Sequence, residues 1–274
     1  MTVIQALLFA IIQGITELFP VSSVAHGVLT PFIFGWDLDP EFLKEHFLPF
    51  VVMLHLGTAL ALLIFFWRDW LAFLMGILTG RASHARRTFM LVVVATIPAA
   101  LIGLIFEKVL RGIFSSVTSA AFFLILNGFI LFLGERLKGR GNRDVHELTY
   151  RQAVLIGLAQ ALALVPGFSR SGASMVAGFW SGLRHEASAR FSMLLATPII
   201  AGAGILVVPK MLHTASAETI RVGAIGGVAS GIFAFIAVWA LMRWFRKHEV
   251  NAMRPFAVYC WLLGGVVLAI HWFG

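Results

Sequence analysis

The chain has 274 residues, 59% of them hydrophobic and only 12% charged, with a formal net charge of +8 and a mean hydropathy of +0.91. Soluble domains carry about 45–50% apolar and about 25% charged residues. A soluble enzyme, a disordered chain and a nucleic-acid binder with a solvated surface are therefore excluded, and a polytopic integral membrane protein remains. The surplus of Lys and Arg then marks a cytoplasmic face rather than a nucleic-acid partner.

The apolar runs are continuous and about 17–22 residues long, unlike the short alternating segments of a barrel, so the spans are helical. A single cysteine, Cys260, excludes an internal disulfide and a cysteine-based metal cluster. No Lys or Arg precedes the first apolar stretch, which therefore does not read as a cleaved signal peptide.

In chain order, Thr2–Phe34 is apolar but broken at Leu18-Phe19-Pro20-Val21-Ser22-Ser23. Three clean spans follow, about Phe47–Trp67, Phe89–Phe106 and Val117–Gly134, and then a basic stretch, Glu135–Arg151. Gln152–Leu183 is again apolar and broken, at Val165-Pro166-Gly167-Phe168-Ser169-Arg170-Ser171-Gly172. The last spans are about Phe191–Val208, Val222–Met242 and Phe256–Phe273, with Trp67, Trp70, Trp244 and Trp272 near span ends as an aromatic belt requires. The arm after the second break has about a dozen residues. It reaches about 18 Å, against a hydrocarbon core of about 30 Å, and cannot cross. Each broken region is predicted to be a re-entrant hairpin.

With six crossings and two hairpins, 15 of the 21 Lys and Arg fall on one side and 5 on the other, with Arg170 inside a hairpin. The first side is cytoplasmic, which places the N-terminus and the acidic loop of Asp37, Asp39, Glu41 and Glu45 outside. The hairpins then enter from opposite sides, each followed by three crossings. The predicted fold is an all-α polytopic membrane protein, one membrane domain over 1–274. It has six transmembrane helices and two re-entrant helical hairpins in an inverted-topology repeat, with halves about 1–135 and 150–274. Such repeats bring their broken helices together near the midplane, so both breaks should build one site.

Ionisable groups inside a membrane are costly and mark function by default. The hairpins hold Glu17, His26 and Arg170. Gln13 and Glu17 share a helix face, as do Ser23 and His26. Ser22 or Ser23 can cap a helix beginning near Val24, and Ser169 or Ser171 one beginning near Gly172. Two helix N-termini aimed into one site make an anion site suited to phosphate, and the fork of Arg170 matches phosphate oxygens. The residues also admit blander roles. Glu17 and Arg170 can be a structural ion pair, His26 a satisfied core histidine, and the serines back-bonded to helix carbonyls. His55, Asn127 and Gln160 read as interhelical hydrogen-bonding groups.

The run Gln13-Gly-Ile-Thr-Glu-Leu-Phe-Pro-Val-Ser-Ser-Val-Ala-His26 resembles the Glu/Gln-x-x-x-Glu and Pro-Val-Ser-Ser-x-x-His signature of undecaprenyl-diphosphate phosphatases, the bacitracin-resistance family. Pro166-Gly-Phe-Ser-Arg-Ser-Gly-Ala-Ser174 resembles its second signature, Pro-Gly-x-Ser-Arg-Ser-Gly-x-Thr/Ser, and Leu56-Gly57 and Phe66-Trp67-Arg68 are also similar. The likeness covers essentially the whole chain. It departs mildly at Gln13, where members carry Glu or Gln, and at Ser174, where many carry Thr.

The resemblance implies hydrolysis of undecaprenyl diphosphate to undecaprenyl phosphate and inorganic phosphate. This recycles the lipid carrier of cell-wall synthesis and removes the target for which bacitracin competes. It further implies a bacterial cytoplasmic (inner) membrane location, a site opening to the periplasmic side, and a divalent cation, magnesium or calcium. On this reading Arg170 and the two helix N-termini hold the diphosphate, and Glu17 with Gln13 holds the cation. Ser23 attacks the terminal phosphorus and His26 takes its proton. Ser22, Ser169, Ser171 and Ser174 donate to phosphate oxygens or fix the turns. Attack by a metal-bound water, with Ser23 only a ligand, is the other version. Paired re-entrant hairpins also suit a transporter or flippase of polyprenyl phosphate, while the Ser/His and Ser/Arg motifs favour hydrolysis. The sequence leaves monomer and homo-oligomer equally open.

Overall fold

The computed structural model describes residues 2–38, 47–80, 83–106, 116–136, 141–214, 216–248 and 250–273. Asp39, Glu41, Lys44 and Glu45 of the acidic loop lie outside them, as do Arg81, Lys108, Arg111, Lys138 and Arg140 of the charge count. The described residues are helical throughout, apart from turns and one isolated bridge between Arg143 and Leu183.

The first half contains α1 (Val3–Thr16), α2 (Ser23–Ile33), α3 (Phe47–Phe65), α4 (Trp67–Thr79), α5 (Ser83–Ile105) and α6 (Val117–Arg136). The second contains α7 (Tyr150–Gln160), α8 (Arg170–Trp180), α9 (His185–Thr214), α10 (Ala217–Lys247) and α11 (Arg254–Phe273). By length and composition α5, α6, α9, α10 and α11 can each cross a membrane, and the bent pair α3–α4 makes a sixth candidate. The protein is thus a polytopic helical membrane protein.

The pair α1–α2 and the pair α7–α8 each pack as a hairpin. Helix α1 has 14 residues and α2, α7 and α8 have 11 each. At about 1.5 Å per residue none covers a core of about 30 Å, as the broken-helix expectation requires. The first break is as wide as the sequence suggested but lies one residue earlier, at 17–22, and the second, after a 3-10 turn over Ala161–Leu164, closes at 169. The helices resume at Ser23 and Arg170, because Ser22 and Ser169 are the N-caps, their hydroxyls accepting from the Ala25 and Gly172 amides.

One element was not foreseen. The first clean span ends as a helix at Phe65, and after Phe66 the 13 residues Trp67–Thr79 form α4, bent by 73° from α3. Only Phe73 and Gly76 of α4 are buried, and Gly80 ends it in the left-handed conformation. An amphipathic stretch with Arg68 and Asp69 beside exposed Leu71 and Leu74 suits an interface better than a bilayer core.

Helix α10 packs along α3 and α1, α11 packs along α6, and α7 packs on α5. Backbones approach closely where glycine allows it: a Cβ on Gly57 would lie 1.9 Å from the Gly227 carbonyl oxygen, and one on Gly14 2.4 Å from that of Ser230. Small residues at such crossings replace the hydrophobic drive that lipid removes. At the opposite end of α6, Glu135 is buried. Its carboxylate accepts from the Ala252 and Met253 amides at 2.7 and 3.0 Å, ahead of α11, and meets His185 Nε2 at 2.9 Å. The basic linker docks nearby, Arg143 bonding the Gly182 and Ser181 carbonyls at the exit of α8.

Candidate active site

The two breaks meet. Glu17, at the C-cap of α1, is 9% exposed. Its Oε2 accepts from Ser23 Oγ at 2.5 Å and faces His55 Nε2 at 3.2 Å, while its Oε1 accepts from Arg170 Nη2 at 3.4 Å. One carboxylate therefore joins both hairpins and α3. Arg170 is steadied by a second bond, Nη1 to the Ser192 carbonyl on α9 at 3.2 Å. Ser23 and Arg170 each begin a helix of 11 residues, so free backbone N–H groups accompany both into the site.

The turn that presents Ser23 is strained. Ser22 has φ +66°, a region uncommon outside glycine. Its carbonyl accepts from His26 Nδ1 at 2.7 Å, and its hydroxyl caps α2. Held at both groups, the turn keeps a conformation the free chain would leave, as strained functional turns do.

Of the residues singled out in the sequence, Glu17, Ser23 and Arg170 come together directly. The expected Ser23–His26 contact is not made. The two share a helix face, but the Ser23 hydroxyl donates to Glu17, and the His26 nitrogens are taken by the Ser22 carbonyl and by the Tyr259 hydroxyl at 2.7 Å. With Nδ1 donating to a carbonyl, neutral His26 accepts from Tyr259 through Nε2. The serines of the second signature mostly hold the turn. Ser169 Oγ accepts from Gly172 N, and Ser171 Oγ donates to the Phe19 carbonyl at 3.0 Å. Ser174 Oγ bonds the Arg170 carbonyl at 2.8 Å and Ser192 Oγ at 2.7 Å. Helix back-bonding, one of the two roles open to them, describes Ser174.

Gln13 is 3% exposed at the junction of α1, α3 and α10. Its Oε1 accepts from Ser230 at 2.5 Å and Thr58 at 3.3 Å, and its Nε2 is buried without a partner. Turned over, the amide would donate to both hydroxyls and leave its oxygen as the free atom. That free oxygen one turn from Glu17 suits a hard cation, which takes one or two protein oxygens and fills its remaining positions with water and phosphate. Among the described residues no group of three His, Cys, Asp or Glu could enclose a metal by itself, so any such ion would share its ligands with substrate.

Two groups carry more than the sequence reading gave them. His55 was an interhelical hydrogen-bonding group, yet its Nδ1 lies on the Val51 carbonyl at 2.8 Å and its Nε2 on Glu17. Its contact with a carboxylate requires a proton between them. The available signal was an ionisable side chain alone in the apolar run Val51–Leu56. Tyr259 gave no signal, because α11 passes the first hairpin only in three dimensions.

The sequence pattern of the family described as bacitracin resistance protein BacA matches residues 6–266. The chain is 52% identical over 275 residues to a protein of Chromobacterium violaceum named undecaprenyl-diphosphatase 2, covering 98% of each. It is 48% identical over 269 residues to a protein of the same name from Oenococcus oeni, again covering 98% of each. It is 47% identical over 283 residues to the undecaprenyl-diphosphatase of Acidiphilium cryptum, covering all of both.

Proposed function

The chain belongs to the bacitracin-resistance BacA family, and from that premise we propose that it hydrolyses undecaprenyl diphosphate to undecaprenyl phosphate and inorganic phosphate. The observation that carries this is the convergence of a hydroxyl, a carboxylate and a guanidinium from two broken helices, Ser23 and Arg170 lying 2.5 and 3.4 Å from Glu17. Phosphoryl transfer is mostly positioning and charge stabilisation, and these groups supply both.

Arg170 leaves Glu17 in part to bind the terminal phosphate, joined by the amides opening α2 and α8. Ser23 Oγ attacks that phosphorus, the anhydride P–O bond breaks, and undecaprenyl phosphate departs. The hydroxyl proton passes to Glu17, where the hydrogen bond already points. Glu17 releases that proton to solvent. Water then attacks the phosphoserine, Glu17 takes the water's proton and returns it to Ser23 Oγ as the Ser23 O–P bond breaks, and phosphate leaves with Ser23 restored. His26 is given a supporting part, since it holds the Ser22 carbonyl and rests on Tyr259. Glu17 and Gln13 would hold a divalent cation, magnesium or calcium, whose charge would offset that of the phosphate when bound.

The same reading carries lipid-carrier recycling, bacitracin resistance and an inner-membrane location with the site open to the periplasm. The inverted repeat is supported by matching packing. Helix α1 lies on α10 as α7 lies on α5, and a Cβ on Gly157 would approach the Ala95 carbonyl at 2.3 Å, much as Gly14 approaches Ser230.

The test is phosphate release from undecaprenyl diphosphate by purified protein in detergent, with and without chelator, beside Ser23→Ala and Arg170→Ala. Metal-dependent release lost in both variants supports the reading, and phosphorylated Ser23 found by mass spectrometry supports the covalent version. Detergent has no second leaflet, so absence of release from folded wild type would favour transport of polyprenyl phosphate instead.

A further inference from the structure

The two hairpins come from distant parts of the chain, and the site needs them in one registry. Helix α6 provides the common wall. A Cβ on Gly167 would meet Phe123 Cβ at 2.4 Å, one on Gly172 would meet Leu131 at 2.9 Å, and one on Gly134 would meet Val176 at 2.4 Å. These contacts recur along one face of α6 at helical spacing and reach only the second hairpin. Asn127 lies at the middle of that face, 1% exposed. Its Nδ2 donates to the Pro20 carbonyl at 2.9 Å and lies 3.4 Å from Cys260 Sγ, while its Oδ1 accepts from the Ser169 amide at 3.0 Å. Pro20 is three residues before Ser23, and Ser169 immediately precedes Arg170. A single amide thus donates to one break and accepts from the other.

We propose that Asn127 is a positioning residue that sets the registry between the Ser23 turn and the Arg170 turn by bonding both at once. The deduction is chemical. Pro20 offers only an acceptor and Ser169 N only a donor, so the bridging side chain must supply one group of each kind on a short, planar fork. Asparagine does so, aspartate supplies acceptors alone, and alanine supplies neither. The direct links between hairpins, Ser171 to the Phe19 carbonyl and Arg170 to Glu17, run from side chains whose own turns Asn127 fixes. The hydrolytic consequence rests on the proposed phosphatase reading, whereas the tethering of the two turns does not.

A displacement of about 1 Å between reacting groups costs about 100-fold in rate. Asn127→Ala, assayed for phosphate release from undecaprenyl diphosphate, is therefore expected to lose about 100-fold in kcat with KM within about three-fold. Hydrogen–deuterium exchange should rise in both turns, 18–23 and 166–171, while the middle of α6 and α11 stays protected. Asn127→Asp should loosen the first turn more than the second. A group that merely packed helices would lower the thermal midpoint, raise exchange along α6 and α11, and leave kcat of the folded fraction near wild type. That pattern, or unchanged exchange in both turns, overturns the proposal. Should Asn127→Ala not fold, Asn127→Asp and Asn127→Ser decide it by the same exchange pattern. If wild type releases no phosphate, the phosphatase reading fails while exchange still decides the tether.

Discussion

Replacing Glu17 by glutamine keeps the shape of the side chain and removes its charge, and the structure indicates what that does. Three donors converge on the carboxylate: Ser23 at 2.5 Å, His55 at 3.2 Å and Arg170 at 3.4 Å. An amide offers one acceptor atom and a two-donor nitrogen. Turned one way its NH2 faces Arg170, donor against donor. Turned the other way its oxygen meets Arg170 and its NH2 can donate to Ser23 and His55, but the amide then cannot take the Ser23 proton. Losing a positioned proton acceptor costs about 10²–10⁴-fold in rate. Removing one partner of a buried pair costs about 3–5 kcal/mol of stability, and Arg170, with 11% of its side chain exposed, has little solvent to replace Glu17. Glu17→Gln should therefore lower kcat for phosphate release by at least about 100-fold and lower the thermal midpoint as well. The double variant Glu17→Gln/Arg170→Gln should recover much of the stability and none of the activity. Glu17→Asp, shorter by about 1.5 Å, should fall between, since the Ser23 bond stretches but the charge stays. Steady-state phosphate release and thermal unfolding in the same detergent measure both effects. A folded Glu17→Gln protein within about three-fold of wild-type kcat would refute the proton-acceptor role. Strictly additive losses in the double variant would refute the Glu17–Arg170 pairing.

Other consequences are as direct. Ser22→Gly loses the cap bond but relieves the positive φ, whereas Ser22→Ala loses the cap and keeps the strain; the glycine variant should be the more stable of the two by about 1 kcal/mol in thermal or denaturant unfolding. Gly57→Ala places a methyl 1.9 Å from the Gly227 oxygen and should cost about 3 kcal/mol or prevent folding, while Gly202→Ala, with nothing within 4 Å of the new Cβ, should be neutral. Tyr259→Phe removes the partner of His26 Nε2 and should lower kcat by about ten-fold with KM little changed, the cost of one lost hydrogen bond at a supporting group. Chelator should stop phosphate release, and millimolar magnesium or calcium should raise the thermal midpoint of wild type but not of Glu17→Ala, as ligand linkage requires. A midpoint that responds equally in both proteins would remove Glu17 from the cation site.

What the sequence determined by itself was what local chemistry and solvent dictate. Continuous apolar runs force helices, because lipid offers the backbone no hydrogen bonds. Pro20 and Pro166, beside small polar residues, break two of those helices, and the broken arms are too short to cross. The same reasoning singled out Glu17, Ser23 and Arg170, since charges and capping serines in broken membrane helices need a purpose. Helix α4 escaped it, because a short amphipathic stretch after a span reads as a loop until its buried face, Phe73 and Gly76, finds α5.

The tertiary structure decided which groups face each other. Ser23 lies three residues from His26 and six from Glu17, and spacing favours the histidine; the turn at Ser22 gives the hydroxyl to the carboxylate instead. His55, Tyr259 and Asn127 sit on three different spans, and only the packing of those spans around the hairpins turns them into partners of Glu17, of His26 and of both breaks. The physical reason is range. Burial, helix periodicity and capping act within a few residues of the chain, whereas a hydrogen bond between residues 107 or 233 positions apart exists only once the helices have packed.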